Sequence, residues 1–149
     1  YFSKRNNRCH QLLQTGSMIN IFLDENLSEY VAHALNFLNT GYFRDVQVFS
    51  TKEKFGKGVQ DEVIIPGIGD LEGILITKDF NIHKTRLQNE LCRQYKLGVF
   101  FLKLPKNQDK HWGIVKSLVN HWEEIIEKSE RERKPFAFRI SVRGKLEKL

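Results

Sequence analysis

Cysteine is scarce in this chain: two in 149 residues, with Cys9 in an atypical leading segment and Cys92 in the body. One body cysteine cannot build a disulfide framework or a Cys-based metal cage, so both are excluded. A lone unpaired thiol suits a reducing compartment. Long apolar runs are also missing. None approaches the roughly 20 residues a membrane-spanning helix needs, and the leading segment lacks the apolar centre of a signal peptide. Proline is sparse at three positions, and no internal repeat or low-complexity tract appears. These absences leave a single soluble domain, expected in the cytoplasm, with 40% hydrophobic residues to build its core.

The first seventeen residues contain no acid and no periodicity, and they end in Gly16-Ser17 directly before Met18, the only methionine. They resemble a cloning remnant and are set aside, leaving residues 18–149 as the domain. Taking their three bases from the 24 leaves 21 against 18 acids, so the body carries +3 rather than +6. This balance permits a polyanionic partner without demanding one, and the placement of charge has to decide.

Strand and helix patterns alternate from there. Ile19–Leu23 is an apolar strand that runs straight into Asp24-Glu25-Asn26. Asn26 with Glu29 is a capping pair for a helix with Leu27, Tyr30, Val31, Ala34, Leu35 and Leu38 inside, stopped at Gly41. Asp45–Phe49 is a second strand. Ser50 to Gln60 is a basic loop that could close as a flap over the acidic stretch after it. A short helix from Asp61 is expected to break at Pro66-Gly67 and Gly69-Asp70. The apolar run Gly73–Thr77, too short for a helix and rich in β-branched residues, is a buried parallel strand ending at Lys78-Asp79.

His83 to Tyr95 has helical spacing, with Leu87, Leu91 and Tyr95 inside. Gly98–Leu102 is a fourth buried strand, and the longest helix runs from about Asp109 to Arg131, with Val115, Leu118, Val119, Trp122, Ile125 and Ile126 on one face. The last strand, Phe136 to Val142, alternates in a way that implies one covered and one open face. The whole is an α/β/α sandwich with a mostly parallel sheet.

Two strands of this pattern end in acids, Asp24 and Asp79, at the edge where open α/β sheets place their ligands, and Asp61 adds a third from the segment between them. Three carboxylates at one sheet end repel. At about 4 Å and an effective dielectric near 20 each pair costs roughly 4 kcal/mol, so a divalent cation or a proton belongs there. Hard oxygen ligands select Mg²⁺ or Mn²⁺ over zinc. Such a cation supplies an activated water and neutralises charge at a phosphodiester undergoing hydrolysis.

Each acid also has a plainer role available. Asp24 and Asp79 could be turn formers, Asp61 could complement a helix dipole, and Asp70 is better read as a turn residue than as a fourth acid. Glu25, Asn26 and Glu62 could support the three, while Lys78, Lys84 and Arg86 could hold substrate phosphates. His83 is too isolated to be assigned as a base. Trp112 and Trp122 are assigned to core or interface rather than to base stacking. Gly67-Ile-Gly69 precedes a strand, so it is not a phosphate loop.

The segments FLDEN, D-x-x-I-I-P-x-I-G and I-T-K-D, with the amphipathic helix and GVFFL that follow, resemble the PIN-like superfamily, in particular compact relatives of VapC-type toxins. The resemblance covers nearly all of residues 18–143. It implies a metal-dependent nuclease acting on RNA, often the toxin half of a toxin–antitoxin pair, with a cognate antitoxin as partner; such toxins often dimerise as well. Asp24, Asp61 and Asp79 match the catalytic and metal-binding acids of that family. Where the pattern commonly has a fourth acid, this chain has Asn81, whose amide could support the site by holding a metal-bound water. Two other readings stay open: a non-catalytic PIN-like module that docks nucleic acid or protein, and a receiver-like or phosphatase-like domain using Asp24 as phosphoryl acceptor.

Overall fold

The computed structural model describes residues 17–79 and 86–149. Six strands form one sheet: β1 (Ile19–Leu23), β2 (Val46–Ser50), β3 (Ile74–Thr77), β4 (Gly98–Leu102), β5 (Phe136–Ile140) and β6 (Glu147–Lys148), in the order β2-β1-β3-β4-β5-β6. The first five are parallel, and β6 closes the far edge antiparallel to β5. The described helices are α1 (Glu29–Asn39), α2 (Thr51–Phe55), α3 (Asp61–Asp70), α4 (Arg86–Gln94) and α5 (His111–Arg131).

A parallel sheet covered on both faces needs strands that are apolar on both sides. In β1, Ile21 and Leu23 face one core with α1 and α5, and Phe22 faces the other with α3 and α4. In β3, Ile74 and Ile76 join the first core and Leu75 the second; in β4, Phe100 and Leu102 take one side and Val99 and Phe101 the other. Beyond β4 the second layer runs out. Phe136, Phe138 and Ile140 are buried while Ala137 and Arg139 stay partly open, which is the one-sided burial the alternation predicts.

Several local expectations are corrected. The first helix is capped by Ser28, whose hydroxyl accepts the Tyr30 N–H at 3.2 Å, rather than by Asn26. The helix starts at Glu29, and its inner face is shifted: Val31 and Leu35 are buried as expected, as is Leu27 before it, but Ala32 and Asn39 complete the face. Tyr30, Ala34 and Leu38 point out, joining Phe37, which is 83% exposed. Trp122, buried on α5, donates its indole N–H to Asn39 Oδ1 at 2.8 Å, which fixes the polar residue at this helix's inner end. The basic loop begins with α2. The helix from Asp61 does not break but runs through Pro66 to Asp70, because Ile64, Ile65 and Ile68 anchor it on the sheet. Its glycines serve close approach. A Cβ on Gly67 would come within 2.6 Å of the Phe55 ring, and one on Gly69 within 2.7 Å of Tyr95 Cβ. On α4 it is Cys92 that is buried, while Leu87 is exposed; on α5 Val119 is exposed, and Trp112 at its start lies outside the core.

Candidate functional site

The strand order reverses between β1 and β3: the chain steps from β1 out to β2, then crosses back to place β3 on the other side. At such a switch point the connections leave in opposite directions and open a crevice at the carboxyl ends of the strands. Asp24 follows β1 and Asp79 lies two residues beyond the end of β3, so both acids stand at this crevice.

Backbone and side chains lock the two together. The Asp24 N–H donates to Ile76 O at 3.0 Å, extending the β1–β3 pairing by one step. The Thr77 hydroxyl, fully buried, donates to Asp24 Oδ2 at 2.7 Å and accepts the Asp79 N–H at 2.9 Å. One hydroxyl thus aims the Asp24 carboxylate and fixes the turn that presents Asp79. The other Asp24 oxygen accepts the Glu25 N–H at 2.8 Å. Sequence reading passed over Thr77; the signal available was a hydroxyl residue ending an otherwise aliphatic buried strand, between two acids.

Asp61 opens α3 and is partly buried. Burial raises its carboxyl above the ordinary range, and the charges of Asp24, Asp79 and Glu62 push in the same direction. The charges of Asp24 and Asp79 thus reach the Asp61 carboxyl. Gln88 on α4 partly offsets this by donating Nε2–H to Asp61 Oδ2 at 2.7 Å. Its own carbonyl, Oε1, is buried and accepts no hydrogen bond. Gln88 was also missed, because a glutamine on a polar helix gives no cue of its partner 27 residues away.

The supporting residues divide. Glu25 is drawn away from the acids: its carboxylate accepts the Gly58 N–H at 3.1 and 3.2 Å, tying down the loop after α2. Asn26 and Glu62 are exposed, Glu62 contributing only its field. Lys78 donates to Asp109 O at 3.1 Å and so braces the loop before α5. Arg86 is exposed and pairs along its own helix with Glu90 at 3.0 Å. Asn81 and Lys84 lie outside the described residues. Asp70, the last residue of α3, is exposed and stays a terminus residue.

Among the described residues, no three His, Cys, Asp or Glu side chains are drawn into a ready metal cage. The donor set nevertheless suits a hard cation. It is all oxygen, it carries mutually repelling charge, and it includes a buried carbonyl with an unused lone pair. Mg²⁺ in particular retains several waters and takes only one or two carboxylates directly, so a closed cage is not required.

The fold is an α/β domain with acids at the switch point of a mostly parallel sheet. The chain belongs to the PIN-like domain family, whose model matches residues 19–104, more than half of the chain and all of the strands that carry the acids. Comparison with curated proteins and with solved structures returns no match. Among the described residues no helix is long and apolar enough to cross a membrane.

Proposed function

We propose that this protein is a metal-dependent endoribonuclease acting in the cytoplasm, and the toxin of a toxin–antitoxin pair. The observation that carries the reading is the coupling at the β1/β3 crevice: Thr77 holds Asp24 and Asp79 in one hydrogen-bonded unit, and the charges of both reach Asp61. Asp24, Asp61 and Asp79 would hold Mg²⁺ or Mn²⁺, with Gln88 Oε1 as a neutral acceptor for one of its waters. When bound, the cation supplies an activated water and offsets charge on the phosphate. The chain's own part is positional. Thr77 orients Asp24, Gln88 orients Asp61, and the tie between Glu25 and Gly58 holds the basic loop near the acidic end of the sheet.

The test is cleavage of a labelled RNA by the full chain. Cutting in Mn²⁺ that stops with EDTA and in Asp24→Asn or Asp79→Asn supports the reading; cutting that survives both substitutions refutes it. Growth arrest on expression of the intact chain, absent with Asp79→Asn, addresses toxicity separately. The open arrangement of the three carboxylates favours a second reading, a non-catalytic PIN-like binding module. Its signature is salt-dependent RNA binding with the RNA left uncut in Mn²⁺.

The partner surface we assign to this reading is the outer face of α1, where Tyr30, Phe37 and Leu38 lie together, with Tyr42 just beyond the helix. At about 150–250 Å² per aromatic side chain these present roughly 600 Å², against ~800 Å² per partner in a standard interface. Flanking charges are already paired within the chain, Lys52 with Glu29 at 2.7 Å and His33 with Glu53 at 2.8 Å. The neutral stripe therefore suits a second copy of itself better than a charged partner such as an acidic antitoxin segment. A sedimentation series in which the native chain dimerises and Phe37→Glu does not would support the homodimer; a native monomer throughout would remove it.

A further inference from the structure

Trp112 is 70% exposed, whereas Trp122 on the same helix is buried and hydrogen-bonded. It lies in the first turn of α5, which follows the loop leaving the carboxyl end of β4. This is the same edge of the sheet that carries Asp24 and Asp79. The connection is physical: Lys78, next to Asp79, donates to Asp109 O, three residues before Trp112.

Backbone hydrogen bonds tie down the turn that presents the indole. The Gln108 N–H donates to Pro105 O at 2.8 Å, and the Ile114 N–H to Lys110 O at 3.0 Å. A Cβ on Gly113 would fall 1.9 Å from Gln108 O, so the helix start and the loop touch backbone to backbone. The His111 and Trp112 rings pack in a T-shaped pair with centroids 5.1 Å apart, and the indole keeps most of its surface in solvent. Lys106 and Lys110 are exposed on the approach. An exposed, fixed aromatic plane flanked by flexible cations is the arrangement with which proteins hold unpaired bases while tracking a phosphate backbone.

We infer that Trp112 is a stacking platform for single-stranded RNA, holding a base beside the acidic crevice while Lys106 and Lys110 engage neighbouring phosphates. The inference rests on the proposed RNA substrate but not on cleavage. Stacking is worth about 1–3 kcal/mol per base, or roughly 5- to 150-fold in affinity. Trp112 is a substrate-holding residue here, with no part in the chemical step.

The experiment measures binding of a short unstructured RNA to the full chain in EDTA, by anisotropy of a labelled RNA and by tryptophan emission. The native chain should bind with quenched emission, since the exposed indole is the one that reaches RNA. Trp112→Ala should lose about 5- to 150-fold in affinity and lose the quenching, Trp112→Phe should keep most of the affinity, and a fully paired hairpin should bind more weakly than the single strand. An unchanged affinity in Trp112→Ala, binding without quenching in the native chain, or no RNA binding at all would overturn the inference. A native chain that binds and quenches but does not cut in Mn²⁺ would remove the nuclease reading and leave this one standing.

Discussion

Thr77→Val tests whether the two strand-end acids form one unit. Valine matches threonine in shape, so the buried site is neither emptied nor overfilled and only the hydroxyl chemistry goes. In the native chain that hydroxyl donates to Asp24 Oδ2 at 2.7 Å and accepts from the Asp79 N–H at 2.9 Å, with the side chain fully buried. A hydrogen bond to a charged group contributes about 1.5–3 kcal/mol and a neutral one about 1 kcal/mol. The Asp24 carboxylate is only partly buried and keeps access to solvent, so the expected total is about 2–3 kcal/mol. At roughly 2–4 °C per kcal/mol for a chain of this size, the midpoint should fall by about 4–12 °C. Cleavage should fall further than stability accounts for, because Asp24 and the Asp79 turn are released together. Thr77→Ser, which keeps the hydroxyl, should recover most of both. Thermal melts and single-turnover cleavage at a temperature where all three variants are folded would measure this. A Thr77→Val chain with native stability and native cleavage refutes the coupling.

Three further predictions follow from the same geometry. Burial first, then the charges of Asp24, Asp79 and Glu62, raise the Asp61 carboxyl above its unfolded value. The folded chain thus holds that proton more tightly than the unfolded one, and its contribution to stability is lost as pH rises through the folded value. Asp61→Asn should therefore melt higher than the native chain in EDTA at pH 7, with the advantage disappearing near pH 4, and Mn²⁺ should reverse the order. Burial, and secondarily the charge of Asp61, push the Cys92 thiol up to about 11. Cys92 should resist iodoacetamide at pH 8 in the folded chain and react once denaturant is added, as peptide mass mapping would show. In Gly98→Ala the new methyl would lie 2.3 Å from Phe136 Cζ, a ring already packed against Phe100 and Phe138. Overpacking of this kind costs about 1–3 kcal/mol, visible in a denaturant melt as a lower midpoint at unchanged slope.

The central strands β3 and β4 were legible in the sequence because they are buried on both faces and so appear as short unbroken apolar runs, and β5 was legible by its alternation. β1 and β4 carry the predicted bounds, and β2, β3 and β5 lie within a residue or two of theirs. The helices were legible as elements but less so in their facing. On α1 an apolar outer stripe and an apolar inner face compete at the same period, so periodicity alone could not say which side meets the sheet. On α3 proline and two glycines imitate a break; only the aromatic neighbours, Phe55 and Tyr95, reveal that the glycines admit close packing. Among the site residues, acids at strand ends could be placed because strand direction dictates where they emerge. Thr77 and Gln88 could not, since each matters through one hydrogen bond to a residue 53 or 27 positions away. Glu25, Lys78 and Arg86 show the converse: correct chemistry near the acids, but each side chain spent on a nearer structural partner.

The shared carboxylate site is tested most directly by titrating the full chain with Mn²⁺ and following free ion by electron paramagnetic resonance. Native protein should take up the ion, and Asp24→Asn, Asp61→Asn and Asp79→Asn should each weaken uptake by about 10-fold or more, on the scale known for perturbed metal shells. Uptake that is absent in the native chain, or that stays at the native level in all three variants, would contradict a site built from these carboxylates.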